Sequence, residues 1–551
     1  MRGRRWPPFP CPGKAKCGCT GTASSSHRSV TRPPTRRSTP WAGWGRPGSP
    51  KACTVQAARY VDGLVAAAEE EGRRVDPLRA IAEATGSGTV VSGSYYVFGD
   101  DVHIQVQITN PSTGATLDQI EPIIVPRGNP ASGLGLLRTR VMGSLALNLD
   151  GRLEGHAAQS ESPPDFEAYQ AFSRGLDAYT RSDWEESVAY FVEARALDST
   201  FALPLLYESF GRSNLVQVAE ADSVVDLLAT YAGQLSPFHR AWVRHLQAQF
   251  DLDRPEALDA IREAARMAPG SKASYNASWL AVINNRPREA LEWLDQLEPE
   301  RGPMRGWFHY WNNRADALHK LGEHEEELEI ARQARQIYPR FAATQRIEAS
   351  ALIGLGRVDE AMQIVHGAPV HPGTDRDAGW VMGSIAFDFE AHGYPDEETE
   401  TLEAALAWYE DQLAGNPSGD WRRVLYEGRQ AMLHRLSRYD DAKEALDELF
   451  AEFGPRPNYL GRRAVLLAWL GEWEQARTEA LALDTLDVPF TRPFYTMDQA
   501  RVAAVTGDAD AAVSLFARAI REGLAVPAHV DRDFQRIKDD PRLQDLLRPK
   551  G

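Results

Sequence analysis

Thirteen histidines, four cysteines and 77 carboxylates are the groups in this 551-residue chain with which metal or acid–base chemistry could be done. His324-Glu325-Glu326-Glu327-Leu328 begins like the helix that presents two imidazoles, one turn apart, to zinc. The second histidine is missing, so the run reads as a charged hairpin turn. Gly133-Leu134-Gly135-Leu136-Leu137-Arg138 falls one glycine short of a dinucleotide fingerprint and reads as a helix start. The phosphate-cradling GxxxxGK[ST] motif does not occur, and Ser92-Gly93-Ser94 lacks the flanking glycines of a nucleophile elbow. Cys11, Cys17, Cys19 and Cys53 lack the paired spacing of a zinc site. The histidines are scattered, with His366 and His371 flanking a Gly/Pro turn. The sequence therefore predicts no catalytic residues, no metal ligands and no cofactor: the chain is expected not to be an enzyme.

Composition narrows the class further. The 43% hydrophobic and 25% charged content is that of a soluble globular protein, and the length calls for more than one domain. The net charge of −16 is uneven, because residues 1–53 carry eleven Lys/Arg and no acid and leave −27 on the rest. An acidic body argues against nucleic-acid binding in the repeats, which would need clustered cations. All four cysteines lie in the first 53 residues, which suits a reducing compartment. Neither a bilayer-spanning apolar run nor the apolar centre of a secretory signal is evident, so a cytoplasmic location is expected.

Residues 1–52, basic and Pro/Arg-rich, are expected to be disordered, since too little apolar surface is available to offset ordering entropy. Acid-free Arg/Pro/Cys/Trp text of this kind also suggests a misplaced start in GC-rich DNA. Residues 53–155 read as a small α+β module: helices over Ala57–Glu71 and Leu78–Thr85, then period-two strands over 89–98, 102–109 and 115–125, then a helix over Leu134–Leu149. Pro122 inside the third strand predicts an edge or a break.

Residues 163–551 stay helical. The stretch Phe308–Asp375 matches itself at a period of 34: Ala315 with Ala349, Leu318 with Leu352, Gly322 with Gly356 and Ala334 with Ala368. Such a period marks helical hairpins stacked on copies of themselves. Taking the small residue of each second helix as a marker gives Ser187, Ala221, Ala257, Ala290, Glu327, Ala361, Glu398, Ala442, Ala476 and Ala512, about ten hairpins. Glu327 and Glu398 fit the small position poorly, and an insertion or longer helix is expected in Gly393–Pro417. Phe191, Leu294, Leu446 and Phe516, four residues after their markers, are expected to fill the groove between paired helices.

Trp311, Ala315, Leu318, Gly322, Ala331, Ala334 and Pro339, with the runs at 182–199 and 471–476, resemble the tetratricopeptide (TPR) signature. Arg314 and Glu327 depart from it. The resemblance implies a mainly α fold, a TPR-like α-α superhelix behind a small α+β domain, whose first helices line a concave protein-binding face. The family's groove-facing offsets fall on His309, Asn312, Asp316 and His319 in one repeat and on Arg346, Ser350 and Ile353 in the next, a mixed polar set suited to a peptide. Too few cations lie there for a clamp on a terminal carboxylate. Residues 76–96 and the strand after them resemble the TolB amino-terminal or FlgO-like module, which in bacterial regulatory proteins sits between an effector and a TPR array. The expectation is thus a non-enzymatic scaffold in bacterial signalling or regulation that binds a protein or peptide. The alternative is the carboxyl-terminal part of a Ser/Thr kinase, nucleotide cyclase or winged-helix regulator.

Overall fold

The computed structural model describes residues 37–42, 78–79, 82, 86–153, 155–156, 164–367, 377–486 and 491–550. The helix expected over Ala57–Glu71 lies outside the described residues, as does most of the segment expected to be disordered.

Four antiparallel strands in the order β1-β2-β3-β4 form one sheet: Arg37–Ala42, Val90–Phe98, Asp101–Thr109 and Thr116–Pro126. Val102, Ile123 and Val125 make its small core and pack on Leu137 of α1 (Leu134–Leu149). Pro122 lies on the edge strand where the pairing slips between Ile104↔Ile123 and Val106↔Ile120, because proline has no N–H to give the ladder. Tyr169 donates to Asp150 at 2.9 Å and Arg152 pairs with Asp177 at 2.6 Å, tying the end of the module to the first repeat.

The rest is a TPR-like array of ten helical hairpins among the described residues. They are α2 (Phe166–Thr180) with α3 (Trp184–Leu197), α4 (Leu203–Asn214) with α5 (Val218–Ala229), and α6 (Pro237–Phe250) with α7 (Arg254–Met267). Next come α8 (Lys272–Ile283) with α9 (Pro287–Leu294), α10 (His309–Leu321) with α11 (His324–Ile337), and α12 (Ala343–Gly354) with α13 (Val358–Gly367). The last four are α14 (Ala378–His392) with α15 (Pro395–Ala414), α16 (Gly419–Arg435) with α17 (Tyr439–Phe453), α18 (Pro457–Trp469) with α19 (Trp473–Ala482), and α20 (Arg492–Val505) with α21 (Ala509–Arg521). A short helix, α22 (Pro541–Leu547), follows.

All ten markers are buried in second helices, and Phe191, Leu294, Leu446 and Phe516 have no exposed surface. One left-handed residue turns each hairpin five positions before its marker: Ser182, Val216, Leu252, Asn285, Gly322, Gly356, Gly393, Ser437, Gly471 and Gly507. The wide spacing between Gly393 and Ser437 comes from α15, which runs for 20 residues. No helix among the described residues is long and apolar enough to cross a membrane.

After α21 the chain turns back along the first-helix face as a strap, Gly523–Lys538. Arg254 donates to the Gly523 carbonyl, and the Val526 amide bonds Ile283 O at 2.9 Å. Lys320 Nζ reaches Val526 O at 2.6 Å, Arg532 pairs with Glu398 at 3.2 Å, and Trp469 Nε1 donates to Asp533 at 2.6 Å. Asn285 Nδ2 holds Leu547 O at 2.7 Å, so the last hairpin and tail return to the third and fourth hairpins.

Candidate partner groove

Beside the strap, a cavity of about 700 Å³ opens on the first helices of five successive hairpins, α10, α12, α14, α16 and α18. Close helix spacing shapes it. A Cβ on Gly379 or Gly428 would stand 2.3 or 2.2 Å from Tyr409 Cζ, so the two glycines let this ring pass between α14 and α16. There the Tyr409 hydroxyl donates to Asp377 at 3.1 Å, and Asp377 also caps α14 through the Trp380 amide at 2.7 Å. Trp380 remains 36% exposed on the cavity wall, near Phe387 and Phe308.

His309, Asn312, Asp316 and Arg346 all line this cavity. The structure bonds three of them together: Asn312 Nδ2 donates to Asp316 at 2.8 Å, and Arg346 reaches Asn312 Oδ1 at 2.9 Å and Asp316 Oδ1 at 2.7 Å. Ser350 is buried behind them and donates to Asp388 Oδ2. Ile353 is 1% exposed in the apolar core and does not present to the groove. Asp377, Asp388 and Glu427 add three carboxylates to Asp316, against Arg346 and Arg462. Burial raises the Asp388 carboxyl above its ordinary range despite the opposing pull of His319, Ser350 and Arg346.

His319 belongs to a different set, which sequence spacing does not reveal. Glu327 sits 1% exposed where every other hairpin but that of Glu398 carries a small residue. Its carboxylate faces His319 Nδ1 at 3.1 Å and His324 Nδ1 at 2.9 Å. His319 Nε2 in turn meets Nε2 of His529 on the strap at 3.3 Å, and His392 stacks edge-on to both. Burial works against the His319 cation, but the hydrogen bond and charge of Glu327 outweigh it and raise the imidazole. Burial, then the His319 charge, lowers His392; burial, with His319 and His392, brings His529 down to about 4. The signal in the sequence was Glu327 itself, a carboxylate at a position that packing reserves for alanine.

These features define the class: a TPR-like hairpin array with a concave groove, part of it covered by its own carboxyl-terminal strap. No protein-family model matches the sequence, and no curated protein does. Among solved structures, a tetratricopeptide repeat protein from Parabacteroides merdae is similar at 12% identity over 48% of this chain and 98% of that one, with a TM-score of 0.29. A Rap protein complexed with Competence and Sporulation Factor is similar at 12% identity over 65% of this chain and 97% of that one, TM-score 0.36. The apo quorum sensor NprR from B. thuringiensis overlaps at 13% identity over 65% and 98%, TM-score 0.34.

Proposed function

We propose that this chain is a non-enzymatic, cytoplasmic scaffold of bacterial signalling or regulation that binds a peptide or protein segment in the groove of α10 to α18. In this reading the α+β module is of the TolB amino-terminal or FlgO-like type. The observation that carries the reading is the open groove itself, spanning five hairpins and walled by a half-exposed tryptophan. Aromatic side chains on a partly desolvated concave surface are efficient anchors for a partner. With four carboxylates facing two guanidinium groups, the groove suits a segment that carries an apolar anchor beside a cation. His309, Asn312, Asp316 and Arg346 are the contact residues, and buried Ser350 supports the groove wall from behind through Asp388.

A peptide library displayed against the full chain tests this. Selected peptides are expected to be cationic and to lose at least about 30-fold in affinity on Trp380→Ala, the ~2 kcal/mol of an interface hot spot. Asn312→Ala, which removes the amide bonded to both Asp316 and Arg346, is expected to weaken the same peptides. Equal enrichment on wild type and Trp380→Ala would overturn the assignment of the groove.

A further inference from the structure

His319, His392 and His529 each offer a ring nitrogen, all within 4.8 Å of one another, although they come from two different hairpins and the strap. Three observations go beyond simple proximity. First, the Nε2 atoms of His319 and His529 face each other at 3.3 Å. Two imidazole ligands of a tetrahedral zinc ion, each ~2.0–2.1 Å from the metal, have their nitrogens ~3.3–3.4 Å apart. Second, Glu327 accepts from His319 Nδ1 at 3.1 Å, which fixes that tautomer with the Nε2 lone pair turned toward His529. A carboxylate behind the imidazole is the usual outer partner of a metal-binding histidine. Third, His392 Nε2 is buried with no hydrogen-bond partner. A proton shared between His319 and His529 would satisfy those two rings and leave His392 wanting; a cation would satisfy all three.

We infer that His319, His392 and His529 form a binding site for one zinc-class divalent cation that clips the carboxyl-terminal strap to the array. Asp388 Oδ1, 4.0 Å from His319 Nε2, is placed to hold a water in the fourth position. His324, also on Glu327, keeps that carboxylate from rotating away. Lys320 and Asp316 are the remaining charged groups that bear on the cluster. Imidazole binds a metal only in its neutral form, so affinity is expected to fall in acid. The clip spans 210 residues of sequence between His319 and His529, so the metal would lock a long loop.

The test uses the full chain, stripped with a chelator and titrated with Zn²⁺ and separately with Co²⁺. The expected result is one equivalent bound, with the intense visible bands of four-coordinate cobalt and without thiolate charge-transfer absorption, which separates this site from the four amino-terminal cysteines. His529→Ala and His392→Ala are each expected to abolish that equivalent. Glu327→Gln is expected to weaken it ~10–100-fold, and His366→Ala, an exposed histidine paired with Glu400, to leave it unchanged. Because His529 lies on the strap outside the hairpins, its variant keeps the array even where His392→Ala fails to fold. Zinc is also expected to slow proteolysis within Leu524–Val530. Sub-stoichiometric uptake by the full chain, or the same uptake by His529→Ala, would overturn the site.

Discussion

Val216 occupies the left-handed turn of the second hairpin at φ 59°, and 79% of its surface is exposed. A β-branched side chain in that conformation costs about 1–2 kcal/mol, and this one recovers little by burial. Val216→Gly should therefore raise stability by about 1 kcal/mol after the greater backbone entropy of glycine is subtracted. Chemical denaturation reads this directly, and a lower midpoint would show that the valine packs in a way its exposure belies. Lys272 strains in another manner. Burial brings its ammonium down to about 7, and its partners are ring faces, Trp307 at 3.9 Å and Tyr275 at 4.5 Å. Since its folded pKa lies below the unfolded one, the unfolded chain binds the extra proton from about pH 7 to 10.5, and stability rises with pH across that window. Lys272→Met should raise the melting temperature at pH 7, with a gain that shrinks toward pH 10. A loss at pH 7 would mean that the aromatic faces more than offset the desolvation.

Between elements, the carboxylates decide. Glu390 on α14 is raised to about 7, first by burial and then by the charge of Glu398, with Arg435 and Arg532 pulling the other way. The folded state thus binds the extra proton from 4.5 to about 7, and stability falls as pH rises through that window. Glu390→Gln removes the penalty: near pH 4.5 it should be almost neutral, and at pH 8 it should stabilise by up to ~3 kcal/mol. Paired denaturation curves at the two pH values check this, and an equal effect at both would contradict it. Glu398, its neighbour, is one of the two markers that fit the repeat poorly; the other is Glu327. Both departures have the same cause. Alanine is required where only a second helix must approach, and these two positions also hold the strap, through Arg532 and through the histidine cluster. Hairpin number and phase were legible because a 34-residue period writes nearest-neighbour packing into every repeat. Of the groove, Asn312, Asp316 and Arg346 were legible for the same reason, since they are neighbours in stacked first helices. Ile353 was not, because its position faces the core once α12 takes its rotation between α10 and α14.

At the scale of the molecule, what a period cannot encode is closure. The bond from Arg254 to Gly523 joins residues 269 apart, and no repeat offset predicts it. Closure divides the first-helix face in two, a covered stretch under Gly523–Lys538 and an open groove from Phe308 to Arg462. The covered stretch is held by buried charge. Asp533 accepts from Trp469 and lies near His434 and Arg501, and these partners hold its carboxyl below the ordinary range against the opposing effect of burial. Its contribution is present above the unfolded carboxylate value and is lost as pH falls through the lower, folded one. Backbone hydrogen exchange over residues 524–534 of the full chain measures the closure most directly. Protection of at least about 100-fold over an unstructured chain, ~2.7 kcal/mol, is expected, falling when Arg532→Ala or Asp533→Ala removes the latch. Exchange at the unstructured rate in the unaltered chain would contradict it.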